Sequence, residues 1–160
     1  MPDTRFDLVG VEHAGELLTV RRAAFVTEAQ LYGDPNLPAL TQTLEELTED
    51  LQRPDVVTIG AWYGHRLVGS IRVELEGEKA SLGRLAVVPD LHHKGIGSRL
   101  LMEVLAYLPE QTKEVWVFTG ADNRAAMPLP EGHDGLDAGT LTEAYLQRLL
   151  GEEPEGFSLP

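Results

Sequence analysis

Leu85-Ala86-Val87-Val88-Pro89-Asp90-Leu91-His92-His93-Lys94-Gly95-Ile96-Gly97-Ser98-Arg99-Leu100-Leu101 is the stretch that decides the fold. It reads as an apolar strand that passes through a proline and a glycine turn into a helix. The apolar positions Ile96, Leu100, Leu101, Val104, Leu105 and Leu108 recur at helical spacing until Pro109 stops the run. The first turn of such a helix leaves N–H groups without intrahelical partners, and Gly95 and Gly97 place no side chain before an approaching anion. The helix dipole and Lys94 add attraction, so the turn is suited to phosphate; a lone G-x-G also reads simply as a tight helix start. There is no G-x-x-x-x-G-K-[ST], and the position three after Gly97 is Leu100, which excludes the Walker loop and the dinucleotide fingerprint.

Upstream, Val57, Ile59 and Ala61, then Leu67, Ile71, Val73 and Leu75, then Leu82, Leu85 and Val87 form short runs rich in β-branched residues. Turn-like Tyr63-Gly64-His65-Arg66 and Glu76-Gly77-Glu78-Lys79 separate them, which predicts an antiparallel meander of three strands. Before the meander come a short strand over Phe6 to Val11 and a helix over Glu12 to Leu31, with Leu17, Val20 and Ala24 beside Leu18 and Phe25 at helical spacing. A breaker cluster, Gly33 to Pro38, follows. Thr43 and Glu46 then form a capping-box pattern that opens a second helix through about Leu51. Beyond the central helix the sequence predicts a strand over Glu114 to Thr119 and a short helix over Asn123 to Met127, cut by Pro128 and Pro130. The segment Thr140 to Leu150 reads as either strand or helix.

The chain has 160 residues, the length of a single compact domain over 1–160, with 42% hydrophobic and 24% charged residues. Thirteen Lys and Arg stand against 26 Asp and Glu, a net charge of −13 that excludes the basic face a nucleic-acid binder needs. The absence of cysteine excludes disulfides, thiolate zinc sites and a cysteine nucleophile. The start, with Asp3, Arg5 and Asp7, has no signal-peptide pattern, and no run approaches the ~18 apolar residues of a membrane span; the expectation is a cytoplasmic protein without a membrane partner. Five histidines form no metal-binding spacing, and no metal site is expected.

The order of these elements, with Ala86-Val87-Val88-Pro89 running into His92-His93-Lys94-Gly95-Ile96-Gly97, resembles the GNAT superfamily of acetyl-CoA-dependent N-acetyltransferases. Their signature is a strand ending in V-x-P followed by [QR]-x-x-G-x-[GA] at a helix start; His92 stands here at the usual Gln or Arg. The resemblance implies an α/β fold: a mixed, mostly antiparallel sheet flanked by helices, open between strands near Val87 and Val117 to hold acyl-CoA. It implies that Leu85, Ala86 and Val87 pair with the pantetheine arm. His93, Lys94, Gly95, Ile96, Gly97 and Ser98 would meet the pyrophosphate. Asn123 would contact the pantetheine or thiol end, with a helix cap as its alternative role.

The activity so implied is direct attack of an amine on the thioester of acetyl-CoA, with a backbone N–H near Val87 facing the oxyanion. The family's general acid is commonly a Tyr seven positions after the Asn, and that position is Pro130, which has no proton to give. Tyr145, His133, Tyr32 or water are the substitutes, and Tyr145 also reads as a core aromatic. Glu74 is the base candidate, since Ser70, Arg72, Glu74 and Glu76 share one face of their strand; a solvated polar face is its alternative. Glu28, Asp34, Glu45 and Glu46 point to a cationic small-molecule or peptide amine as acceptor, or serve only the helix dipoles. Arg84 either binds an acidic group of the acceptor or pairs with Glu74. A catalytically weak acyl-CoA sensor of the same fold is the alternative function, and a homodimer is compatible with either.

Overall fold

The computed structural model describes residues 4–32, 41–91, 94–119 and 123–128. Strand β1 (Thr4–Leu8) is followed by a single 3-10 turn, Val11–His13, and the long helix α1 (Ala14–Tyr32). Helix α2 (Leu44–Leu51) opens on the capping box that the sequence predicts: the Glu46 N–H donates to Thr43 Oγ1 at 3.1 Å, and the Thr43 N–H donates to Glu46 Oε1 at 3.0 Å. The meander is β2 (Val56–Tyr63), β3 (Arg66–Glu76) and β4 (Lys79–Val87), closed by the two-residue loops Gly64-His65 and Gly77-Glu78. Helix α3 (Ile96–Val104) tightens into a 3-10 turn over Leu105–Tyr107 before Pro109, and β5 (Glu114–Thr119) and β6 (Asn123–Pro128) follow.

Among the described residues six strands lie in sequence order, antiparallel except for β4 against β5. On β3 the alternation sorts two faces. A Cβ added to Gly69 would meet Leu100 and Ile96, so Gly69, Ile71 and Val73 face α3. Arg72 reaches Asp50 of α2, so Ser70, Arg72 and Glu74 face α1 and α2. The α3 face is sealed by Ile59, Ile71, Val73, Leu82 and Val87 against Leu100, Leu101 and Val104, all at 0–1% exposure. Each such side chain contributes about 1.5–3 kcal/mol of burial, and this layer is the main core.

The segment Asn123–Met127 is a correction: it is strand β6, not a helix. Five residues stopped by Pro128 are too short to nucleate a helix, whereas the register from Thr119↔Asn123 to Glu114↔Pro128 pairs them with β5. Pro128 ends β6, which is an edge strand among the described residues, where a missing N–H costs least. The segment 140–150 lies outside the described residues.

Candidate active site

The parallel ladder between β4 and β5 runs Lys79↔Glu114, Ala80↔Val115, Ser81↔Trp116, Leu82↔Val117 and then stops. The cause lies in β4 itself. Arg72 of β3 faces Gly83 and Ser70 faces Ala86, so Ile71 alone is matched by two residues, Arg84 and Leu85. Such a bulge bends and twists its strand. At its centre Arg84 holds a left-handed φ of 54°, a conformation that costs a non-glycine residue roughly 1–3 kcal/mol and that collects at functional sites. From Gly83 on, β4 runs clear of β5, whose remaining residues Phe118 and Thr119 pair with β6. The opening is the splayed strand pair that the sequence predicts, and Leu85 and Ala86 line its β4 side.

Beside this opening stands the glycine turn. Gly95 has φ 82°, which a side-chain-bearing residue resists, and its carbonyl accepts the Arg99 N–H at 3.0 Å to start α3. Ile96 and Gly97 are buried at the helix start, Ser98 is half-buried, and Lys94 is exposed. The helix start is docked on the sheet where Gly69 leaves room: a Cβ there would come 3.0 Å from the Ala86 carbonyl oxygen and 3.3 Å from Ile96 Cγ2. Arg66 fixes the intervening turn by a fork to Asp90, Nη1 to Oδ2 at 3.1 Å and Nη2 to Oδ1 at 3.0 Å. Lys94, Gly95, Ile96, Gly97 and Ser98 therefore meet Leu85, Ala86 and Val87 at one end of the sheet. Asn123, opposite Thr119 at the end of β5, belongs to the same end. An extended arm with an anionic head fits a strand edge that leads to a helix N-terminus.

On the α1 and α2 face the polar residues of β3 form a charge cluster. Arg72 clasps Asp50, Nε to Oδ2 and Nη2 to Oδ1 both at 2.7 Å. Arg72 Nη1 reaches Glu74 Oε2 at 3.3 Å, and Arg53 Nη2 donates to Glu74 Oε1 at 2.7 Å. Burial alone would raise the Asp50 carboxyl, but the hydrogen bonds and charge of Arg72, with Arg21 and Arg53 behind it, hold it below the ordinary carboxylate range. Glu74 is likewise held low by the Arg53 hydrogen bond and by Arg72, which makes it a weak base. It faces Ser81, where β4 and β5 are still paired, rather than the opening.

Two further arginines bear on this face, one that the sequence pattern did not single out and one whose partner it left open. Arg21 of α1 is 0% exposed, and none of its three guanidinium nitrogens has a hydrogen-bond partner among the described residues. Its place in the Leu17–Arg21–Phe25 spacing, inside the apolar stripe, is the signal that marks it. Arg84 does not pair with Glu74, whose two oxygens go to Arg53 and Arg72. Burial and neighbouring cations pull the Arg84 pKa down, and they pull that of Arg21 down to about 9.

Of the acidic residues expected to favour a cationic acceptor, Glu46 is used in the capping box, and Glu45 shares its first turn. The Glu28 side chain lies outside the described residues, as do Asp34, His93, Pro130, His133, Tyr145 and the side chain of Tyr32.

Comparison with known proteins gives a consistent answer. Residues 24–132 match the family model described as "Acetyltransferase (GNAT) family". A curated relative, "UPF0157 protein YqkA" of Bacillus subtilis (strain 168), is 31% identical over 116 residues; these are 72% of this chain and 32% of the relative, so the chain spans about a third of that protein's length. Among solved structures, the PaiA N-acetyltransferase of Thermoplasma acidophilum in complex with coenzyme A superposes with a TM-score of 0.61 at 22% identity, over 73% of this chain and 79% of that one. The ribosomal-protein-S18-alanine N-acetyltransferase of Escherichia coli does so with a TM-score of 0.59 at 13% identity, over 76% and 70%. At these identities the likeness to both structures is one of fold.

Proposed function

Since the chain belongs to the acetyltransferase (GNAT) family, we propose that it transfers the acetyl group of acetyl-CoA to a primary amine of a small molecule or peptide by direct attack. The observation that carries this reading is the end of the β4–β5 ladder at Leu82↔Val117, on the strand that runs on into the glycine turn. In this reading Leu85, Ala86 and Val87 meet the pantetheine arm, the residues from His93 to Ser98 are the candidates to meet the pyrophosphate, and the helix N–H groups that begin at Ile96 face it. Asn123 stands at the far side of the opening. The thioester supplies an activated acyl carbon whose thiol, ordinarily titrating at about 8.5, leaves with little help at neutral pH.

The chain's own part is chiefly positional. Aligning two reactants can supply on the order of 7–11 kcal/mol of the barrier, and an amide of the splayed strand faces the charge that develops on the acyl oxygen. Glu74 is committed to Arg53 and Arg72, so water takes the amine's proton and Glu74 orders the arginines. Tyr145 is the candidate for returning a proton to the departing thiolate. Pro130, at the position the family commonly gives to that acid, is the observation that favours the second reading, an acyl-CoA sensor with weak turnover.

The test is thiol release from acetyl-CoA across a panel of amines, with calorimetry of acetyl-CoA on wild type and Gly97→Glu, the variant's fold checked by circular dichroism. Turnover on at least one amine, with binding lost in the folded variant, is the expected result. Equal affinity in both proteins overturns the cofactor site, and binding without turnover on every amine favours the sensor.

A further inference from the structure

We propose that Arg21 and Arg84 form a buried anion subsite on the α1 and α2 face of the sheet, and that it holds a carboxylate carried by the acceptor amine. The argument begins with pairing. Asp50 is clasped by Arg72 through two bonds of 2.7 Å, and Glu74 is shared between Arg53 and Arg72. Asp55 accepts from Arg53 Nε at 3.1 Å and from Nη2 at 2.7 Å, and Arg53 Nη1 reaches Asp50 Oδ1 at 3.5 Å. The described carboxylates of this cluster are thus engaged, and the guanidinium of Arg21 is left at 0% exposure with three nitrogens and no hydrogen-bond partner among the described residues. A buried guanidinium in that state is costly unless an anion meets it. Its pKa of about 9 still leaves it cationic at neutral pH.

Two hydroxyls on the same face are in the same condition. Ser70 Oγ and Thr58 Oγ1 are buried and have no hydrogen-bond partner among the described residues. Thr58 faces Arg72 across β2 and β3, and Ser70 faces Ala86, the residue that closes the bulge containing Arg84. A fork of planar donors on the same face as two unpartnered hydroxyls suits a carboxylate, which accepts through two oxygens. The position also suits the reaction. Arg84 sits in the strained turn where β4 leaves β5, so an acceptor anchored there by its carboxylate has its amine held at the opening. The sign of charge is opposite to the one that Glu28, Asp34, Glu45 and Glu46 suggest, and an acceptor with both an amine and a carboxylate meets it.

The anion half of this inference stands by itself, and the acceptor half rests on the acetyltransferase reading; the experiment separates them. The first arm measures thermal stabilisation of wild type, Arg21→Met and Arg84→Gln by sodium acetate against sodium chloride at equal ionic strength. Saturable stabilisation by acetate in wild type, lost in both variants, is expected; no saturable effect, or the same effect in all three proteins, overturns the subsite. Stabilisation by acetate and chloride alike overturns its assignment to carboxylates. The second arm compares kcat/KM for amino acids and for their carboxamides, which keep the amine and lose the anion. Wild type is expected to favour the carboxylate by roughly tenfold to a hundredfold, with the ratio falling towards one in Arg21→Met and in Arg84→Gln. Equal rates on the two acceptors, or a ratio unchanged in the variants, overturn the acceptor assignment even where acetate binds. If no amine is turned over, the acetyltransferase reading fails while the acetate arm still decides the subsite.

Discussion

Along β3, Ile71 and Val73 meet α3 in a layer of side chains that is apolar throughout, while Ser70, Arg72 and Glu74, one residue out of step, meet α1 and α2 in a layer of charges. The first layer is sealed, with Leu82, Leu100, Leu101 and Val104 at 0% exposure. The second is as deeply buried at Arg21, Thr58 and Ser70, yet its hydrogen bonds among the described residues are incomplete. The first layer is complete as it stands, whereas the second, beside the buried Leu17 of α1 and Leu47 of α2, also holds polar groups that need something brought to them. Removing the unpartnered charge of Arg21 should act opposite in sign to removing an apolar side chain, and the contrast can be broken at either face.

The largest effect is expected at Asp50, the carboxylate that clasps Arg72 from a side chain only 12% exposed. Asp50→Ala leaves Arg72 with only its 3.3 Å contact to Glu74, beside two other guanidiniums, and should cost about 3–5 kcal/mol in urea denaturation at pH 7. Because the folded state holds the Asp50 carboxyl below its ordinary value, its contribution is full above an unfolded value of about 3.9 and is lost as pH falls through the lower folded one. The deficit of Asp50→Ala should thus be constant from pH 7 to pH 5 and shrink below about pH 4. A deficit that grows in acid would contradict the pairing.

At the apolar face, Leu100→Ala should cost about 2–5 kcal/mol, nearer the lower end if α3 settles into the space; the same denaturation series reads it. Arg21→Met should have the opposite sign. Removing a buried charge without a partner in favour of an apolar side chain of similar length should stabilise the ligand-free protein by about 1–4 kcal/mol. At ~2–4 °C per kcal/mol for a chain of this size, that is a rise in Tm visible in any thermal melt. A fall in Tm would mean that the guanidinium is already satisfied, and the contrast between the faces would collapse. The smallest effect belongs to neither layer: Thr43→Ala, which removes one half of the capping box, should cost about 1 kcal/mol.

How much of this is legible in the sequence follows from how local each signal is. The three meander strands, α3 and the Thr43–Glu46 capping box are written in periodicity and short spacings, and the structure has them where the sequence puts them. The opening between β4 and β5 is legible through the glycine turn and the resemblance it carries, although Val117 itself still pairs with Leu82 and the parting begins just beyond. Strand β6 is not legible, because Asn123 to Met127 has no period of its own and is a strand only by virtue of β5 beside it. Alternation places Glu74 correctly on the polar face, but it cannot say which cations face it from α2 and the next loop. Arg21 shows the reverse case: a charge inside an apolar stripe is visible in the sequence, and only its lack of a partner requires the folded chain.

The early end of the β4–β5 ladder has a mechanical consequence. After Leu82↔Val117 the last two residues of β5 lose contact with β4 but keep all their rungs to β6, down to Thr119↔Asn123. The β5–β6 pair is therefore fastened to the rest of the sheet by a four-rung seam, and the bulge at Arg84 lies just beyond its last rung. The width of the mouth is thus set by those four rungs, and not by the ladder between β5 and β6.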